Sequence, residues 1–387
     1  MSTKVEGQVA VGYEPVEREF GRVLEEGGEV GAAVAVYVEG DKVVDLWGGV
    51  ARPASGEIWS ANTPVVVFSV SKGALAVCAA LLVERHLLDL DASVGTYWPE
   101  FARSGKQDIT VRMLLSHRAG LPVLTARLSF DEVMAWAPVV HALEEQAPLW
   151  PPGTAYGYHA MTFGWLVGEV IRRVSGKSPG EFLQAEFGGE CPDLWFGVPA
   201  ADLSRLATLV PSGTALDAPG YSDDDVEDAL RAANLSGALP FPSPCDVGAW
   251  NDQALLRGEV PAANMVATAR DLARFYSLVV TGEPPAVAIS RATITDMLAP
   301  QSVGRPVFGT SSAEERWGTG FMITSSAAPM LGPGSFGHHG AQGGLAFGDI
   351  DRRTSFAYLN NRMNFPPRNP NAIVEVLSDC ISGRVRP

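Results

Sequence analysis

The chain has 387 residues, 46% apolar and 19% charged, which suits a large folded core and argues against a disordered or fibrous protein. Its 29 basic residues stand against 44 acidic ones, a net charge of −15 that speaks against nucleic acid or an anionic membrane as the main partner. Four cysteines (Cys78, Cys191, Cys245, Cys380) lie far apart with no C-x-x-C pair, so neither a zinc site nor a disulfide scaffold is expected.

The first residues lack the basic start, apolar stretch and cleavage site of a secretory signal. No apolar run is long enough to span a membrane. A soluble, cytoplasmic protein is expected. Val30 to Val50 alternates around Glu39-Gly40-Asp41-Lys42 and predicts a β-hairpin. Val70 to Leu87 predicts a helix that is apolar almost all round, as a helix inside a large core would be. From about Asp89 to Leu255 the pattern is mainly helical, with a clear helix over Thr162 to Val174 stopped near Gly176. Ser212 to Asp228, with its acidic cluster Asp223 to Asp225, reads as a solvated loop. Met265 to Val280 is helical again, and Phe336 to Asn360 gives strands punctuated by glycine. The expectation is an α/β domain made of residues 1–88 and 256–387, carrying a mainly helical insertion at 89–255.

Two patterns compete for the chemistry. Gly176-Lys177-Ser178-Pro179-Gly180 matches G-x-S-x-G, the nucleophile elbow of α/β-hydrolases. That elbow needs a strand before the serine and an N–H after it. Here a helix precedes, and Pro179 has no N–H. Ser178 is therefore read as a helix-connection serine.

The second pattern is Ser69-Val70-Ser71-Lys72. Bare S-x-x-K is weak, but the chain has only five lysines and this one opens its most apolar helix. A lysine entering a core is paired or partly neutral, because desolvation disfavours its charge. Ser69 and Lys72 share a helix face, whereas Ser71 points elsewhere. At a helix start the free N–H groups and the dipole favour a developing anion. A neutral Lys72 could then take the Ser69 proton. On this motif alone, a capping serine with a snorkelling lysine explains the residues equally well. Two further blocks stand out: Pro152 to Ala160 (PGTAYGYHA), delivering a tyrosine ahead of a helix, and Gly337 to Gly344 (GHHGAQGG) in the strand region. Core aromatics would account for the first, and strand glycines for close approach of a ligand or another backbone at the second. The histidines show no H-x-x-x-H spacing, so no metal is expected.

Taken in order, these blocks resemble the serine β-lactamase and penicillin-binding-protein superfamily, and within it the class C-like branch and the family VIII carboxylesterases. The resemblance runs over residues 15 to 380 and includes Met113 to Pro122 (MLLSHRAGLP) and Ala267 to Tyr276 (ATARDLARFY). It implies an antiparallel sheet flanked by helices, Ser69 as nucleophile, Lys72 as its proton partner and Tyr158 as the proton shuttle. It also implies an oxyanion hole from the Ser69 and Ala341 N–H groups, and His338-His339-Gly340 on the strand beside the substrate. No cofactor is implied. Two departures matter: Ala160 replaces the asparagine of Y-x-N, and His338 replaces the lysine of K-T-G. Both losses remove anchors for the amide and carboxylate of peptides and lactams. The expected activity is hydrolysis of small carboxylic esters through an acyl-enzyme. The rivals are an amide hydrolase or β-lactamase using the same residues, an acyltransferase, or a binding protein without catalysis.

Overall fold

The alternating valine stretch forms the expected hairpin, β2 (Gly31–Val38) and β3 (Asp41–Arg52). Both turn residues adopt positive φ, Glu39 at 52° and Gly40 at 94°, the two-residue geometry whose twist matches the flanking strands. The computed structural model describes residues 4–26, 28–213, 222–312, 314–364 and 369–383. Across these, the hairpin is extended by strands from both ends of the chain. β1 (Val5–Val9) pairs with β3, and β4 (Glu57–Ile58) adds a short pairing to it. On the other side β2 is followed by β13 (Thr354–Asn360), β12 (Leu345–Asp349) and β11 (Ser335–His339). Three two-residue strands complete the sheet: β10 (Met322–Ile323), β9 (Arg316–Trp317) and β8 (Ser302–Val303). Every pairing in the sheet is antiparallel.

Both faces of the central strands are buried, so helices must cover each. On one face lie α1 (Glu14–Glu26) and α12 (Asn369–Ile381), which join the sheet through Val16, Phe20, Ile373 and Leu377. On the other lie α2 (Val70–Glu84) and α10 (Ala269–Thr281). α2 has apolar residues on all sides, and every residue from Val70 to Leu82 is buried. It is shut in by β11 on one side and by α6 (Thr162–Ser175), α7 (Pro179–Phe187) and α11 (Arg291–Leu298) on the others. Gly73 makes room for α10, since a side chain there would overlap the Tyr276 hydroxyl.

Between residues 89 and 255 the described elements are mainly helical. Besides α6 and α7 they include α3 (Val111–Leu115), α4 (Phe130–Met134), α5 (Ala137–Glu145), α8 (Asp223–Ala233) and α9 (Gln253–Arg257). One short strand, β6 (Leu194–Trp195), belongs to a second sheet of order β5-β7-β6, with β5 (Val65–Val66) and β7 (Val266–Ala267). Residues on both sides of the expected insertion thus meet in the small sheet that leads into Ser69.

Three expectations need correction. The acidic cluster is not loop: Asp223 to Asp225 form the first turn of α8, and Ser222 and Asp225 make a reciprocal capping box. Three carboxylates there face the positive end of the helix dipole, which accounts for them better than solvation does. Residues 214–221 of that stretch lie outside the described residues. The helix expected from Met265 begins at Ala269, because Val266 and Ala267 are drawn into β7 and Thr268 caps the helix by accepting from the Asp271 N–H at 3.1 Å. Likewise α2 ends at Glu84, and His86 has already turned to φ 56°. Among the described residues no helix is long and apolar enough to cross a membrane.

Candidate active site

Ser69 is reached through β5. Val67 N–H bonds Met265 O at 2.9 Å, and the next residue, Phe68, turns the chain with φ 45°. Positive φ is costly for an aromatic residue, so neighbours must hold it in place. Phe68 is buried against Trp250 with ring centroids 4.8 Å apart. The Ser71 hydroxyl donates to Phe68 O and accepts from Met265 N–H at 3.1 Å. Ser71 therefore points away from Lys72, as its spacing predicts, and acts as the latch that keeps the turn.

Ser69 precedes α2 but does not cap it. Its backbone is helical (φ −65°, ψ −9°), and its hydroxyl makes no capping bond. Lys72 Nζ lies 3.1 Å from Ser69 Oγ and donates to Ala262 O at 2.9 Å. The lysine is 1% exposed, so it does not snorkel. Among the described residues it has no carboxylate partner, and burial holds its pKa well below the usual lysine range. Ala262 O is presented by a loop folded around Asn264, whose side chain accepts from Val260 N–H and donates to Leu255 O and Gly258 O. Gly164 in α6 lets that loop sit close, since a Cβ there would come within 2.6 Å of Ala262 N.

Tyr158 lies four residues ahead of α6, as the sequence predicts, and its ring stacks on Trp317 at 5.2 Å and 28°. Lys72 Nζ is 4.9 Å from the ring centroid. Burial raises the phenol pKa, with hydrogen bonding to Ser69 acting in the opposite direction. Tyr158 Oη is 3.4 Å from His338 Nε2. His338 Nδ1 sits 2.7 Å from His339 O, and a carbonyl only accepts, so Nδ1 carries the proton and Nε2 is a bare acceptor. Burial keeps this imidazole neutral. The structure thus sets His338, expected beside the substrate, against the tyrosine.

β11 brings the remaining expected residues alongside. Gly340 is required by contact: a Cβ there would meet Val67 O at 2.6 Å. Bonds from Gly340 N–H to Gly344 O (2.8 Å) and Gly343 N–H to Gly340 O (2.9 Å) form the turn carrying Ala341. Among the described residues neither the Ser69 nor the Ala341 N–H has a hydrogen-bond partner. His339 is half-buried with both ring nitrogens unpartnered, and burial lowers its pKa to about 4. Ala160 packs with Val123, Ala232, Phe308 and Trp150, and its methyl side chain carries no polar atom to hold an amide. No group of three or more metal-ligating side chains occurs among the described residues.

Ser178 is placed elsewhere, as the N-cap of α7, with its hydroxyl donating to Glu259 at 2.6 Å. Sequence reasoning missed Ala262, whose contribution is a carbonyl independent of residue type, and Trp317, which no motif flags. It assigned no role to His117, although that residue lies inside the quoted block at 113–122. Its ring packs on Tyr158 at 4.9 Å.

The beta-lactamase family model matches residues 16–378. A family VIII carboxylesterase of known structure superposes with a TM-score of 0.86 at 31% identity, covering 97% of this chain and 100% of that one. A penicillin-binding protein homologue from Caulobacter crescentus gives a TM-score of 0.85 at 30% identity, covering 99% and 100%. The esterase/beta-lactamase LipL of Mycobacterium tuberculosis is 33% identical over 355 residues, 87% of this chain and 78% of that protein. With residues 16–378 of its 387 matched by the family model and the fold shared with these relatives, the chain belongs to the beta-lactamase family.

Proposed function

We propose that the protein is a carboxylesterase that cleaves small carboxylic esters through an acyl-enzyme on Ser69. The observation that carries this is a fully buried lysine with no acidic partner among the described residues, 3.1 Å from a serine hydroxyl that makes no capping bond to its helix. A neutral amine has a lone pair. One N–H is engaged by Ala262 O, and the lone pair accepts the Ser69 proton as Oγ attacks the ester carbonyl carbon. The Ser69 and Ala341 N–H groups receive the oxyanion, each such donor contributing about 3–4 kcal/mol to lowering the barrier. Collapse of the tetrahedral intermediate breaks the C–O bond. Tyr158, between Lys72 and His338, returns the proton to the departing alcohol. Water then attacks the acyl carbonyl as the same groups take its proton, and they return that proton to Ser69 Oγ as the acyl C–Oγ bond breaks and the acid leaves. Family VIII carboxylesterase and esterase/beta-lactamase relatives support the ester reading.

The two altered positions favour esters over lactams. A phenyl ester needs a nucleophile and an oxyanion hole, because its leaving group is weakly basic. A β-lactam also needs its amide and carboxylate held. Here the Ala160 side chain is apolar and His338 is neutral and engaged with Tyr158. A missing charged hydrogen bond costs about 1.5–3 kcal/mol, roughly ten- to a hundredfold. The proposed substrates are small neutral esters, and the proposed location is the cytoplasm, which suits four unpaired thiols.

A panel of p-nitrophenyl esters from acetate to laurate, with a matched anilide and nitrocefin, tests this. kcat/KM for acetate or butyrate should exceed that for nitrocefin by at least about 10²-fold. Equal efficiency on nitrocefin would restore the lactamase reading, and equal efficiency on the anilide the amidase one.

A further inference from the structure

We infer that His117 is the positioning residue for Tyr158, holding the phenol in register with Lys72, Ser69 and His338. This rests on the proposed role of Tyr158 in proton transfer. His117 is 1% exposed and follows α3 with φ 62°, a left-handed conformation that a buried histidine keeps only under constraint. The constraint comes from the backbone on both sides of Tyr158. His117 O accepts the Gly157 N–H at 3.1 Å, and His117 Nδ1 accepts the His159 N–H at 3.2 Å. One residue thus fixes the peptide groups before and after the tyrosine. Its ring also packs 4.9 Å from the Tyr158 ring and meets Trp317 edge-on at 4.8 Å, so the phenol, the imidazole and the indole that stacks on the phenol form a triad of mutually packed rings.

Since Nδ1 accepts from an N–H, the His117 proton is on Nε2 and the ring is neutral. Burial favours that state. His159 braces the same segment. Its Nδ1–H donates to Gly157 O at 2.6 Å, and its Nε2 accepts the Leu121 N–H at 3.0 Å. The loop after α3 and the loop before α6 are therefore tied together by two imidazoles, each in one fixed tautomer. The His159 N–H requires a hydrogen-bond acceptor at 117. A hydrophobic residue would fill the volume and leave the His159 N–H buried without a partner.

Two variants separate positioning from bulk stability. His117→Leu keeps the volume and loses the acceptor. His117→Asn offers an acceptor oxygen and tolerates positive φ. His117→Leu should lower kcat on p-nitrophenyl acetate about 30- to 100-fold with KM within about twofold, since small misplacements of catalytic groups act on the barrier. His117→Asn should recover most of that loss. In a Tyr158→Phe background the His117→Leu step should cost less than about twofold, because the group it positions is gone. A full further loss in that background, or His117→Asn no better than His117→Leu, would overturn the inference. If His117→Leu does not fold, the smaller loss of His117→Asn must vanish in the Tyr158→Phe background, and its persistence there counts against the inference. A Tyr158→Phe variant as fast as wild type would bring down the proposed mechanism and this inference with it. A slow Tyr158→Phe beside an unimpaired His117→Leu would remove the inference alone.

Discussion

Ser69 and Ser178 each stand one residue ahead of a helix, and each lies in a pattern associated with a nucleophile. Around Ser178 the hydroxyl and the N–H are both engaged at the helix start. Its hydroxyl accepts the Glu181 N–H at 3.2 Å and donates to Glu259 at 2.6 Å, while Glu181 accepts the Ser178 N–H at 2.9 Å. Around Ser69 the opposite holds. It caps nothing, its N–H is unpartnered among the described residues, and its hydroxyl faces an amine that burial disposes toward neutrality. A serine that stabilises a helix end has its hydroxyl engaged by the helix, and one suited to attack keeps it free of the helix and on groups that can move its proton. Such freedom has a cost in stability: a positive-φ Phe68, a desolvated lysine and unsatisfied donors are held in place by the surrounding core.

Breaking the comparison at the serines should give the largest effect. Ser69→Ala should lower ester kcat by at least about 10⁴-fold, the scale seen when a covalent nucleophile is removed. Ser178→Ala should leave kcat within about twofold, since its hydroxyl bonds Glu181 and Glu259 rather than Ser69, Lys72 or Tyr158. Comparable losses in both would erase the distinction.

Smaller losses should come from the groups that make Ser69 different. Lys72→Met and Tyr158→Phe should each lower kcat by about 10²-fold or more. The double variant should be little slower than the poorer single one, because the two residues move the same proton. Multiplicative losses would show two independent roles.

The smallest effect is on stability, and its sign should differ between the sites. Ser178→Ala loses a capping bond and should destabilise by about 1 kcal/mol. Lys72→Met removes a buried amine and should stabilise by about 0.5–2 kcal/mol at neutral pH. The sign follows from linkage. Between the lowered folded pKa of Lys72 and the ordinary value of about 10.4, the unfolded chain holds a proton that the folded one lacks. Wild-type stability through this group therefore rises with pH in that window, and the advantage of Lys72→Met should shrink toward pH 10. Chemical denaturation of both proteins at several pH values checks this, and an advantage that grows with pH would show that Lys72 is charged in the native state.

Much of this was legible in the residues. The hairpin, the buried helix α2 and the glycine-punctuated strands follow from alternation, apolarity and turn chemistry, and Ser69 and Lys72 from their spacing at the start of the most apolar helix. The acidic turn of α8 was misread because capping by Ser222 and Asp225 looks like a polar loop when charge alone is weighed. The strand at Val266 was missed because two residues of pairing leave no periodic trace. The remainder of the site was hidden for a physical reason. Ala262 O, the Phe68 turn and the Ser71 latch are backbone conformations and contacts over long sequence separations, so no local pattern encodes them.

The central claim is that Ser69, and not Ser178, is the nucleophile. Treating the protein with a fluorophosphonate and mapping the adduct by peptide mass spectrometry addresses it most directly. The account predicts one adduct on Ser69, abolished by Ser69→Ala and unaffected by Ser178→Ala. An adduct on Ser178, or undiminished labelling of Ser69→Ala, would contradict it.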